Sequence, residues 1–187
     1  MRTRYRMLAI LAALFILTGC AQQRQMPTLQ NQLKQLNQQL QTLTSQATAL
    51  EQQNALNAQS ISGVYLLPTA QSHAMLQSDI GKLSVSLSHI ETEANGTRAL
   101  LHIRTIDSSR LPAFSAQLDW GQIDPVSGKP LTRDSQTQSF TVTPTLLPKA
   151  AAAIELRLSG LSPEQLGFIR LHHLEEVSAQ PPVTEAP

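Results

Sequence analysis

Apolar residues recur along the first third of the chain at alternating steps of four and three. Leu29, Leu33, Leu36, Leu40, Leu43, Ala47 and Leu50 follow this 3.5-residue repeat, the period of a coiled-coil helix. In heptad terms Met26, Leu33, Leu40, Ala47 and Asn54 fall at a, and Leu29, Leu36, Leu43, Leu50 and Asn57 at d. Two apolar positions in seven make a narrow seam, which buries little unless another helix supplies matching side chains. The pattern predicts a coiled-coil-like helix over residues 28–59, with Thr28 as N-cap after Pro27. The g positions Gln32, Gln39, Gln46 and Gln53 and the e positions Gln30, Asn37, Thr44 and Glu51 offer no charge code. A homo-oligomer built through the helix is then the simplest pairing rule. Leucine at both seam positions leaves two, three and four strands open, with a leaning to three. The competing reading folds the same leucines back onto the chain's own globular domain, because isolated helices are marginal in water.

Beyond residue 60 the period changes to two, the sign of strands. Leu83, Val85 and Leu87 alternate with serines and run into Ala94-Asn95-Gly96, after which Thr97 to Ile106 continues as a second apolar run. Asn-Gly between two such runs predicts a hairpin with a type I′ turn. Phe114, Ala116, Leu118 and Trp120 alternate with polar residues, and 124–130 is a turn cluster. Further strands are predicted at Gln138 to Val142, Ile154 to Leu158 and Phe168 to Val177, with an extra one around Val64 to Leu67. Ser162 to Gln165 opens one helical turn that Gly167 closes. Six or seven short strands over residues 60–177, with no βαβ alternation, predict a mainly β fold: an immunoglobulin-like antiparallel β-sandwich preceded by the helix. Residues 178–187 read as a disordered Pro-rich tail.

The start of the chain is a processing signal. Arg2, Arg4 and Arg6 precede an apolar run from Met7 to Leu17, the layout of a secretory signal peptide and too short to span a bilayer stably. Leu17-Thr18-Gly19-Cys20 resembles the lipobox of bacterial lipoproteins. The resemblance implies that residues 1–19 are removed, that Cys20 is the lipid-attachment site, and that residues 20–27 form a lipidated linker. A thiolate is the nucleophile such acylation needs. Each buried methylene contributes about 0.8 kcal/mol, so two or three palmitate-type chains hold the protein at a membrane where one does not. In enterobacterial lipoproteins an Asp after the cysteine retains the protein in the inner membrane. Ala21 and Gln22 stand here instead, which implies the periplasmic face of the outer membrane. Anchoring every chain in one leaflet makes any helix bundle parallel.

Composition sharpens this picture at three points. The stretch from Ala21 to Ser60 holds 13 Gln and no Gly, a low-complexity tract but for its leucines. Losing Arg2, Arg4 and Arg6 takes the formal charge from +1 to −2, which removes the electrostatic basis for nucleic-acid binding. Cys20 is the only cysteine, so no disulfide forms within the chain.

The layout of lipobox, Gln/Leu-rich helix and cysteine-free sandwich, closing on "LSGLSPEQLGFIRLHHLEEV", resembles the enterobacterial YajI-type lipoproteins. That resemblance implies an immunoglobulin-like domain and an envelope location, and it carries over no active-site residues.

Motifs for nucleophilic, zinc-hydrolase, redox or calcium chemistry are absent from the sequence. One cluster invites chemistry: His172-His173-Leu174-Glu175-Glu176. A strand puts His173 and Glu175 on one face and His172 and Glu176 on the other, and a metal would require further ligands from His73, His89 or His102. The bland reading is a polar strand end. Tyr65 and Trp120 read as core aromatics, or as a partner anchor if Trp120 lies exposed beside Phe114. The expectation is a non-enzymatic structural or interaction lipoprotein with no cofactor, binding an envelope protein or peptidoglycan through the sandwich. The alternative is a metal-binding or accessory cell-envelope enzyme using residues 172–176, and a third reading is a chaperone that lends a strand edge to clients.

Overall fold

The computed structural model describes residues 26–106, 110–144 and 151–177. Cys20, Ala21, Gln22 and the 178–187 tail lie outside them. The chain divides into two compact units, residues 1–44 and 45–187.

Among the described residues one α-helix, α1 (Met26–Gln59), precedes eight strands: β1 (Val64–Leu66), β2 (His73–Ser78), β3 (Gly81–Glu93), β4 (Gly96–Thr105), β5 (Phe114–Gly121), β6 (Gln136–Val142), β7 (Ala151–Ser159) and β8 (Phe168–Glu176). The helix begins two residues before Thr28. Pro27 sits in its first turn, where a missing N–H costs nothing.

The strands form two antiparallel four-stranded sheets, sheet A in the order β1-β8-β5-β6 and sheet B in the order β2-β3-β4-β7. This is the mainly β sandwich that the period-two pattern predicts. Inward residues alternate along each strand: Leu83 and Val85 on β3, Leu101 and Ile103 on β4, Phe114, Ala116, Leu118 and Trp120 on β5, Leu156 and Leu158 on β7. All are buried. Together they make one continuous core. Trp120 is 3% exposed and Phe114 fully buried, so the two form no surface patch. The indole N–H of Trp120 donates to the Ser159 carbonyl at 3.1 Å.

One strand goes unmarked by the sequence pattern and one local expectation fails. Strand β2 was not foreseen, because only Ala74 and Leu76 mark its buried face. The β3–β4 hairpin exists, but Glu93 pairs with Gly96, so Ala94 and Asn95 are its central residues. Neither has positive φ, so the turn is not type I′. Gly96 serves another purpose: a Cβ there would stand 2.1 Å from the Leu158 carbonyl oxygen. The glycine admits β7 to the ladder.

Candidate functional site

Residues 45–59 of α1 lie against the free edge of sheet A, and the sequence explains how. Ala49 and Leu56 pack with Leu67, Ala70, Tyr65, Phe168 and Ile123 in a small second cluster. Between them the contacts are amides. Asn57 receives the Tyr65 N–H on Oδ1 at 2.7 Å and donates Nδ2–H to the Tyr65 carbonyl at 3.0 Å. Gln53, 1% exposed, accepts the Leu67 N–H at 2.8 Å and donates to Ser72 Oγ at 3.1 Å. Gln52 donates to the Gly128 carbonyl at 2.8 Å and Gln46 to Gln71 Oε1 at 2.9 Å. The glutamines that make the sequence look like a low-complexity tract thus close a sheet edge that would otherwise recruit another strand.

Besides Gln52 and the d-position Asn57, packing uses positions 46, 49, 53 and 56, the g and c positions of the heptad. At 100° per residue these lie about 110° around the helix from the a/d seam. Within residues 45–59, the seam leucine Leu50 stays 37% exposed while Gln53 is buried. Leu29, Leu33, Leu36, Leu40 and Leu43 are 51–60% exposed. Sequence reasoning marks the leucine row but misses the second face, because glutamine carries no hydropathy signal for burial.

On the outer surface of sheet A, β8 is interrupted. Ile169, Leu171 and Leu174 enter the core, a step of three that marks a bulge. The register against β5 shifts between Ser115 and Gln117, and His173 takes φ +49°. Bulges re-aim side chains in this way. His172 is 6% exposed on the outer face. It is covered by the chain at Gly63, where a Cβ would stand 2.6 Å from the His172 Cβ, and where φ is +79°. Nε2 of His172 stands 2.8 Å from Asp119 Oδ2, too far off the N–H direction to form a hydrogen bond. Its Nδ1 meets Nδ1 of His173. Asp119 Oδ1 accepts from Thr137 Oγ1 at 2.8 Å. Arg170 donates to the Ser62 carbonyl at 2.9 Å and lies 5.3 Å from the centre of the Tyr65 ring. Glu175 and Glu176 point to solvent.

The other histidines are elsewhere. His73, His89 and His102 belong to sheet B. His102 lies on β4, which pairs with β3 and β7 and not with β8. There Ser88 Oγ contacts His102 Nε2 at 2.7 Å and His89 Nδ1 at 3.0 Å. Among the described residues no group of three metal-ligating side chains converges. The additional ligands that a metal at residues 172–176 requires are therefore not supplied by these histidines.

Comparison with known proteins adds a family and a fold. The family described as "Protein of unknown function (DUF3251)" matches residues 20–180. The uncharacterized lipoprotein YajI of Escherichia coli (strain K12) is 38% identical over 177 residues, spanning 95% of this chain and 99% of that one. The solution NMR structure of Escherichia coli YajI superposes with a TM-score of 0.68 at 36% identity, covering 76% of this chain and 85% of that one. The trimeric lipoprotein SadB of Salmonella enterica shares the fold at a TM-score of 0.51 and 18% identity, covering 93% and 89% of the two chains.

Proposed function

The chain belongs to the DUF3251 family of proteins of unknown function, whose relative YajI is a lipoprotein, and on that premise we propose that it is a lipid-anchored, non-enzymatic presenter in the cell envelope. Cys20 carries the lipid. Ala21 and Gln22 direct it to the periplasmic face of the outer membrane. The helix joins copies through Leu29, Leu33, Leu36, Leu40, Leu43 and Leu50, and the sandwich offers a face to an envelope protein or to peptidoglycan. Among the described residues no helix is long and apolar enough to cross a membrane.

One observation carries the reading. Near its C-terminal end α1 binds its own sandwich through Gln53 and Asn57 beside Ala49 and Leu56, while the leucines of the 3.5-residue row remain exposed. A helix that docked by its apolar stripe would do the reverse. The exposed row repeats every 3.5 residues, so a parallel bundle of copies buries it with no further design. The fold neighbour is named a trimeric lipoprotein, and three strands is the count proposed here.

Sedimentation equilibrium of the mature chain without its acyl groups tests this. A discrete oligomer that becomes a monomer in the Leu36→Glu, Leu43→Glu double variant supports it. A monomer at every concentration overturns the seam. Truncation at Ser60 is the poorer test, since it also strips Asn57 and Gln53 from β1.

A further inference from the structure

The outer face of sheet B carries a groove. Register places His73, Ser86, His102 and Ala153 in one row across the four strands, and Met75, Ser84, Arg104 and Ala151 in the next. Long side chains on β2 and β4 thus flank small hydroxyls on β3. The walls stand two strand spacings apart, about 9–10 Å. His73, Met75, Ser84, Arg104 and Ile106 line a concavity of ≈ 320 Å³, at the small end of the range for ligand pockets. Met75 is 59% and Ile106 41% exposed.

Charge along this face is uneven. At the β3–β4 hairpin end the cations are matched: Arg98 with Glu91 at 2.6 Å, and Arg157 with Glu155 at 3.1 Å and Glu93 at 3.5 Å. At the opposite end Arg104 and Lys82 make no ion pair among the described residues, and neither does Asp79 in the neighbouring turn.

We propose that this groove binds a short acidic peptide segment, with Arg104 holding a carboxylate, Ser84 and Ser86 offering hydroxyls, and Met75 and Ile106 receiving an aliphatic side chain. A guanidinium fork matches a carboxylate geometrically. Glycans are the poorer fit. Stacking on sugar needs an exposed aromatic, and among the described residues Phe114, Trp120 and Phe168 are buried while Tyr65 and the partly buried Phe140 belong to sheet A. A membrane surface is poorer still, since it would draw on four to eight clustered cations. The free edge of β2 adds backbone donors and acceptors beside the groove, as extended peptides use. The inference rests on the sandwich being the presenting module.

Fluorescence anisotropy of a fluorescein-labelled Ala-Leu-Glu-Leu-Glu peptide, titrated with the full mature lipidated chain in neutral detergent, tests it. Saturable binding is expected, weakened about tenfold or more in Arg104→Glu and several-fold in Met75→Ala. Arg98→Glu, at the ion-paired end, should leave it unchanged. The same peptide with Gln for Glu should not bind. Absence of saturable binding, equal loss in Arg98→Glu and Arg104→Glu, or tighter binding to phosphatidylglycerol vesicles than to peptide would overturn the proposal. A chain that sediments as an oligomer yet binds no peptide sinks the groove alone. A monomer that binds it through Arg104 supports the groove and sinks the seam alone.

Discussion

Asn57 and Tyr65 exchange two hydrogen bonds, so that one side-chain amide from the helix satisfies both outward backbone groups of the middle residue of β1. The amide completes the edge as a neighbouring strand would. Gln53, one helical turn earlier, accepts the Leu67 N–H two residues further on and donates its own amide N–H to Ser72. The four-residue step of the helix is matched to the two-residue step of the strand.

Replacing Asn57 by Leu keeps the volume and abandons both backbone groups. The expected loss is about 1–3 kcal/mol of stability, the desolvation cost of unpaired polar groups. Gln53→Leu should cost a similar amount. Urea denaturation followed by circular dichroism measures both, and a change below 0.5 kcal/mol (~0.5 is the scale of neutral surface substitutions) would show that water replaces the amide.

The seam lacks charged e and g partners apart from Glu51. Association through it should be nearly independent of ionic strength, since screening acts on exposed charge pairs. Sedimentation between low and high salt reads this directly. A marked dissociation at high salt would point instead to an ionic interface.

Asp124 accepts the backbone N–H groups of Ser127 and Val126, both at 2.8 Å. These bonds hold its carboxyl below the usual carboxylate range. A lowered native value means the stabilisation is present above the ordinary pKa of the unfolded chain and is lost as pH falls through the native one. Asp124→Ala should therefore melt below the parent at neutral pH, with the gap closing on acidification below about pH 4. A gap independent of pH would assign the effect to turn geometry alone.

His172 is buried against Asp119, so His172→Ala is expected to destabilise by about 1–3 kcal/mol. His173→Ala, at an exposed position with φ +49°, should change little. Elemental analysis of the purified chain and melting with and without EDTA check the metal alternative. A bound equivalent of metal lost in both variants would restore it.

The sandwich was legible because its inward residues are aliphatic and alternate, as in Leu83-Ser84-Val85-Ser86-Leu87. Strand β2 was not, since its buried face is only Ala74 and Leu76. The hairpin was placed one residue off for a physical reason. Asn-Gly is a turn signal when the glycine supplies positive φ, whereas Gly96 is required by the approach of Leu158. Its replacement by Ala should cost more than a turn glycine would. The His172–Glu176 cluster was visible as composition, yet its bulge was not, because a step of three between Leu171 and Leu174 reads as ordinary irregularity. Least legible was the edge cover by Gln53 and Asn57, where buried residues carry the same letters as the solvent-facing ones around them.

The pairing of β1 with β8 has a consequence in time. The first strand waits for the last, and about a hundred residues must be made before Val64 meets Leu171. Until then the growing chain holds an unpaired strand, the species most prone to recruit neighbours. The contacts from Asn57 to β1 and from Gln53 to Leu67 just beyond it span only 8 and 14 residues, and such short loops close within about 10–100 ns. The helix is thus available to shield one side of β1 from the moment β1 exists, and the finished edge is a guard kept on after its first duty.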